Sequence, residues 1–194
     1  MSYYAVYTGH IRAGVYEKWD ECKREAYKKP KYKKFATREE AERFVEKGVS
    51  DETFDVVVFT DGACSNNGKA GAKAAYGVFY GLDDPRNMSG RIKGKATNNI
   101  AELTAVIKAL EQSDPAKSLG IYTDSKYAIL CCTTYGAKCA KKGWADVPNA
   151  DLVKRAYELS RGNVKLLYVE AHTENKDPHS IGNYHADLLA TSCL

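Results

Sequence analysis

The sequence predicts an α/β protein: a five-stranded mixed sheet flanked by helices in residues 55–194, preceded by a small ββα-type unit in residues 1–48. Three observations carry this. The run Asp55-Val56-Val57-Val58-Phe59-Thr60 has the β-branched composition of a strand buried on both faces. Further along, strand-like and helix-like segments alternate, which in a compact domain means βα units. Between Lys47 and Phe54 the polar stretch KGVSDETF interrupts both periodicities. It sets a boundary, with residues 49–54 as a linker too short to act as a long flexible tether.

In chain order, Tyr3 to Tyr7 and the residues around Gly14 to Tyr16 read as strands joined by a Gly-bearing turn, and helical segments follow. Thr37 with Glu40 three positions on is a capping box, and Ala41, Phe44 and Val45 form the apolar stripe of the helix it opens. In the second unit, strands are expected over 55–60, 74–80 and 88–95. A helix from Asn98 carries Leu103, Val106, Ile107 and Leu110 at spacings of three and four. Then come strand 119–123, helix 125–133, helix 150–160, strand 164–169 and helix 183–191.

A chain of 194 residues suits one ordinary domain plus a small one. No apolar run approaches the roughly 18 residues that would span a bilayer, and MSYYAVYTGH has neither a basic nor an apolar signal region. An intracellular protein, cytoplasmic or nuclear and not secreted, is expected, with no membrane partner. The six cysteines form no C-x-x-C pair and read as scattered reduced thiols. Net charge is +4, and residues 1–50 supply all of it, with 12 Lys+Arg against 8 Asp+Glu. Between Lys18 and Arg38, nine basic residues face three acidic ones, interleaved with Trp19, Tyr27, Tyr32 and Phe35. Such a stretch neutralises phosphates and offers aromatic faces to sugars or bases. A solvated basic face, or an import signal in KKPKYKK, would look the same.

Four acids stand out by position. Asp61 and Asp124 each follow a buried strand, and both are expected at strand ends, where open α/β sheets gather ligands. Glu102 lies early in its helix on the side away from Leu103 and Val106, and Asp187 sits among Ala186, Leu188 and Leu189. Taken singly, Asp61 also fits a turn before Gly62, Asp124 a helix cap, and Asp187 an exposed helix acid. Together they suit hard cations: three or four carboxylates can hold two magnesium ions about 3.5–4 Å apart.

Residues 55–194 resemble the type 1 ribonuclease H family through Thr60-Asp61-Gly62, Thr97-Asn98-Asn99 with Glu102, Thr123-Asp124-Ser125, and Gly182-Asn183 with Ala186-Asp187. Residues 3–47 resemble the hybrid-binding domain that precedes many such enzymes, through Tyr4-Ala5-Val6, Gly14-Val15, Trp19 with Cys22, and Lys33-Lys34-Phe35-Ala36-Thr37. The resemblance implies a ribonuclease H-like fold and endonucleolytic hydrolysis of the RNA strand of RNA/DNA hybrids, giving 5′-phosphate and 3′-hydroxyl ends. It implies Asp61, Glu102, Asp124 and Asp187 as catalytic residues that bind two Mg²⁺ ions, with Mn²⁺ as a substitute. The partner it implies is the RNA/DNA hybrid, with double-stranded RNA as a further duplex for the N-terminal unit, and the protein itself is expected to be a monomer.

For substrate contacts the resemblance implies Tyr4 and Trp19 at the DNA strand, Lys33 and Lys34 at phosphates, and Asn66 on the hybrid near Asp61. His10 is a weaker candidate there. Asn98 and Asn99 would read base edges and 2′-hydroxyls in the minor groove, the hydroxyl being what separates RNA from DNA; helix capping is the other reading of Asn98. Lys95, Thr97 and Asn149 match positions that hold a DNA phosphate, with Lys95 where arginine is common, so bidentate geometry is lost. Tyr135 stands where the family has Trp beside the DNA, and Cys139 where another Trp often sits. Trp144, after Lys141-Lys142-Gly143, reads as core rather than contact. A family histidine in the loop before the last acid matches His172, with His179 as the alternative.

Two other readings keep part of the pattern. A non-catalytic hybrid or double-stranded RNA binder would not need all four acids. An integrase- or resolvase-like nuclease would keep acids at strand ends but not Thr97-Asn98-Asn99 or the N-terminal unit.

Overall fold

The computed structural model describes residues 2–8, 12–25, 31–50, 54–171 and 178–194. The chain divides into two compact units, Met1–Thr53 and Phe54–Leu194.

The first unit contains β1 (Tyr3–Thr8), β2 (Arg12–Tyr16), α1 (Trp19–Glu25), β3 (Lys31–Phe35) and α2 (Arg38–Ser50). Its sheet is antiparallel in the order β2-β1-β3. The third strand goes beyond the two expected from sequence. KYKKF offers no apolar alternation to flag it, and it lies at a sheet edge, where lysines are tolerated because they discourage further strand pairing. The capping box forms as expected: the Glu40 amide donates to Thr37 Oγ1 (3.3 Å) and the Thr37 amide to Glu40 Oε2 (3.4 Å). The helix it opens buries Ala41 completely and sets Phe44 against Phe35, ring centroids 5.3 Å apart. Its backbone stays helical to Ser50, into the stretch read as linker.

The second unit contains β4 (Val56–Ser65), β5 (Lys73–Phe79), β6 (Met88–Arg91), α3 (Asn98–Glu111), β7 (Leu119–Thr123), α4 (Lys126–Cys132), α5 (Thr134–Lys141), α6 (Ala150–Leu159), β8 (Val164–Tyr168) and α7 (Pro178–Thr191). Its five-stranded sheet runs β6-β5-β4-β7-β8, antiparallel among β4, β5 and β6 and parallel from β4 through β7 to β8. One core lies between the sheet and α3, α4 and α6, built on Val58, Val78, Leu103, Val106, Leu110 and Ile121. A smaller core on the other face joins Phe59, Phe79, Tyr122 and Ala186 beneath α7. Phe54 packs against this second core and lies over Gly120.

Two elements depart from the sequence pattern. The helix α5 is a separate segment, turning from α4 at Thr133. The last helix starts at Pro178, five residues earlier than the apolar pattern suggested; a proline at the first helical position loses no needed hydrogen bond.

Two glycines let helices press on the sheet at one level. A Cβ on Gly62 would overlap the Glu102 amide of α3. A Cβ on Gly77, the cross-strand partner of Asp61, would overlap the Ala186 carbonyl and lie 2.7 Å from the Ala190 nitrogen of α7. Helices therefore approach β4 and β5 from both faces beside Asp61.

Candidate active site

The Asp61 carboxylate is not at a strand end, contrary to the sequence expectation, because β4 runs on to Ser65 paired with β5. What ends near Asp61 is the parallel ladder with β7, whose last pair is Thr60 with Thr123. Asp61 and Asp124 are each the next residue after that pair, so the two acids are level with each other. Glu102 arrives over Gly62 on α3, and Asp187 is carried by α7. All four line one cavity of about 380 Å³, together with Gly62, Ala63, Asn98 and Ala171.

No basic side chain is among these lining residues, and the electrostatics show it. Asp61 is 7% exposed, and its carboxyl is pushed up to about 8, first by burial and then by the Asp124 charge, with the Gly62 amide opposing and Asp187 and Glu102 adding to the rise. The Glu102 carboxyl is raised by burial, held back by its hydrogen bond from Ser125, and raised again by Asp124. Ser125 Oγ donates to Glu102 Oε2, Asn98 Nδ2 to Glu102 Oε1 (2.6 Å), and Asn183 Nδ2 to Asp124 Oδ2 (3.3 Å). Ser125 and Asn183 were not among the residues expected to build the site, although both lie within the short motifs that flank its acids.

An all-carboxylate donor set with surplus buried negative charge fits a hard divalent cation in chemistry and in charge. Among the described residues no three such groups already stand in coordinating positions. Glu102, in particular, is engaged at both oxygens by Ser125 and Asn98.

The expected substrate contacts fall in three places. Around the cavity, Thr97 caps α3, its Oγ1 accepting from the Ile100 amide (3.3 Å). Asn98 is therefore not the cap, and its side chain is free of that duty to hold Glu102. Asn99 is exposed beside it, as is Lys95 upstream. Asn66 is exposed in a left-handed turn after β4 (φ 52°), and its neighbour Asn67, not anticipated, accepts from the Asn98 amide through Oδ1 (3.2 Å).

Toward α5, Tyr135 is partly buried against the larger core, and Asn149 precedes α6 in a left-handed conformation (φ 56°). Trp144 packs partly buried against the same core, as expected.

In the first unit, Trp19 lies 5.7 Å from the Tyr4 ring and 5.1 Å from Tyr32, and Lys34 Nζ stands 5.6 Å from the Tyr4 centroid. Lys33 points to the other face of its strand, 5.5 Å from the Phe35 centroid, so the two lysines do not share one surface.

His172 and His10 lie outside the described residues. His179 is no loop residue. It sits in the first turn of α7 with its ring stacked 4.3 Å from Tyr122 and tilted 6.2 Å from Phe59.

Comparison with known proteins agrees with this architecture. The RNase H family pattern matches residues 53–194, and the Ribonuclease H1 N-terminal domain pattern matches residues 2–45. A Ribonuclease H of Schizosaccharomyces pombe is 44% identical over 69% of this chain, which spans 51% of that relative's length. Ribonuclease H1 of Mus musculus is 30% identical over 97% of this chain and 87% of its own. Among solved structures, the PFV RNase H domain superposes with a TM-score of 0.57 at 21% identity, covering 74% of this chain and 96% of that one. The Prototype Foamy Virus Protease-Reverse Transcriptase gives 0.62 at 21% identity, over 72% of this chain and 21% of that one. These two share the fold. By its two matched domains, in this order, and by its likeness to the mouse protein along nearly its whole length, the chain belongs to the ribonuclease H family of enzymes, whose members generally depend on divalent metal.

Proposed function

We propose that this protein hydrolyses the RNA strand of RNA/DNA hybrids endonucleolytically, leaving 5′-phosphate and 3′-hydroxyl ends. The observation that carries it is the convergence of Asp61, Glu102, Asp124 and Asp187, from four separate segments, on one cavity with no basic residue among the described residues that line it. These four would hold two Mg²⁺ ions, with Mn²⁺ able to substitute. Metal bound there supplies an activated water and neutralises charge on the leaving oxygen.

The chain's own groups orient and select. Asn183 holds Asp124 in place by donating to it, and Ser125 and Asn98 fix both oxygens of Glu102. Asn98 lines the acidic cavity, Asn99 follows it on α3, and Asn66 stands in the turn after β4; their amides can donate to and accept from 2′-hydroxyls and base edges. Lys95, Thr97 and Asn149 take a DNA phosphate, and Tyr135 packs beside the DNA strand. His172 assists proton movement or product release. The N-terminal unit, residues 1–48, binds the hybrid through Tyr4, Trp19 and Lys34, with Lys33 reaching phosphate from the other face, and it also takes double-stranded RNA. Residues 49–54 join it to the catalytic unit, 55–194.

The test is incubation of a labelled RNA/DNA hybrid with and without Mg²⁺, beside single-stranded RNA, double-stranded RNA and the Asp124→Asn variant. Metal-dependent cutting of the hybrid's RNA strand alone is expected. Hybrid cleavage that persists in EDTA or in Asp124→Asn would overturn the assignment.

A further inference from the structure

The acidic cavity has no basic residue among the described residues that line it, yet a lysine follows one of its acids by two positions. Lys126 is the first residue of α4, directly after the Ser125 cap. It is exposed, and its Nζ lies over the Tyr168 ring, 5.0 Å from the centroid. Tyr168 is the last residue of the edge strand β8, paired with Thr123, and the same segment runs on to Ala171 in the cavity lining. By strand alternation its ring shares a face with Leu166, toward the core that α4 covers, and it is 37% exposed. Ring and ammonium therefore meet where β7 and β8 end, beside the segment that carries Asp124.

The local fold does not call for a lysine there. A cation in the first turn of a helix opposes the helix dipole, and an exposed cation on an aromatic face adds little stability. Two residues from Asp124, a freely moving ammonium would also be drawn among the carboxylates, where it would compete with a metal ion. The ring gives the ammonium another seat. It fixes the direction of the charge and leaves the N–H groups that do not face it open to solvent. A cation held in this way beside an acidic site suits the phosphate of a strand that crosses the site. The strand crossing the four acids is the one they cut.

We infer that Lys126 binds an RNA-strand phosphate next to the scissile one, and that Tyr168 is its positioning residue, holding the ammonium outside the acidic cavity. This deepens the proposed function and rests on the four acids cutting RNA. The contacted phosphate is not the one broken, so loss of Lys126 appears in KM and leaves kcat nearly unmoved.

The experiment is steady-state cleavage by the full chain with Mg²⁺, comparing wild type with Lys126→Met, Lys126→Arg, Tyr168→Phe, Tyr168→Leu and the pair Lys126→Met with Tyr168→Leu. Melting temperatures are measured alongside. The substrates are an all-phosphate hybrid and a set carrying one uncharged methylphosphonate stepped along the RNA strand on either side of the cut. Lys126→Met should raise KM roughly three- to tenfold, and this difference should vanish at one methylphosphonate position. Lys126→Arg and Tyr168→Phe, which keep the charge and the ring, should keep the wild-type KM. Tyr168→Leu should raise KM roughly two- to fivefold, and the pair should be no worse than Lys126→Met alone. An unchanged KM in Lys126→Met refutes the phosphate contact, as does a rise that Lys126→Arg shares or that persists at every methylphosphonate position. A Tyr168→Leu effect that adds fully to that of Lys126→Met refutes the positioning role alone. If the wild type does not cut the RNA strand of the hybrid, the proposed function falls and the inference with it.

Discussion

Replacing Asp61 with Asn should stabilise the metal-free protein while destroying its activity. Asp61 is 7% exposed, shares its cavity with three other carboxylates, and has its carboxyl raised from 3.8 to about 8. A carboxyl whose pKa is higher folded than unfolded contributes stability that is fully present below about 4 and is lost as pH climbs toward 8. Each unit is worth about 1.4 kcal/mol, so the ceiling on this loss is ~6 kcal/mol. Glu102, also raised, shares part of the same repulsion, and a gain of about 2–4 kcal/mol for Asp61→Asn at pH 8 is expected.

The assay is hydrogen exchange at the paired amides of β4 and β5 in EDTA, which reads opening of the second unit separately from the first. The stability gap between variant and wild type should widen between pH 5 and pH 8, and adding Mg²⁺ should narrow it by stabilising the wild type alone. A variant equal to or less stable than wild type at pH 8 in EDTA would refute the account of Asp61 as a repelled, buried carboxylate.

Gly62→Ala should cost about 1–3 kcal/mol and lower hybrid cleavage, because the new methyl displaces α3 and Glu102 with it; denaturant unfolding with kinetics checks both. Trp19→Ala should weaken hybrid binding about tenfold, since a lost stacking face is worth about 1–3 kcal/mol, and an unchanged Kd would contradict the aromatic surface. Lys34→Ala should weaken hybrid binding more than Lys33→Ala, because only Lys34 lies over the Tyr4 ring; equal losses would show that strand face does not matter. His179→Phe should keep kcat and its pH profile, since the ring packs on Tyr122, whereas His172→Ala should lower kcat; the reverse result would exchange the two assignments.

Much of the fold was legible because its signals are local. The β-branched run at 56–60, the spacing of Leu103, Val106, Ile107 and Leu110, and the capping box at Thr37 each depend on residues within a turn or a strand, and the structure has strands, helix and cap there. β3 was missed for the same reason in reverse. An edge strand written KYKKF has little apolar surface to announce it, and only pairing with β1 makes it a strand. Asp61 looked like a strand end because the sequence cannot show that β5 continues the ladder on the other side.

The sequence by itself determined which residues carry negative charge, in what order, and on what kind of element. It also supplied the glycines beside them. Tertiary structure alone decided that Asp61, Glu102, Asp124 and Asp187 meet, since they are separated by up to 126 positions and are joined through the pairing of β4 with β7 and the packing of α3 and α7 on β4 and β5. It likewise decided that Ser125 and Asn183 hold two of those acids and that the His179 ring stacks on Tyr122. The physical reason is common to all of these. Periodicity and capping are written in neighbouring residues, whereas burial, repulsion and hydrogen bonding between distant segments exist only once packing brings them within a few ångströms.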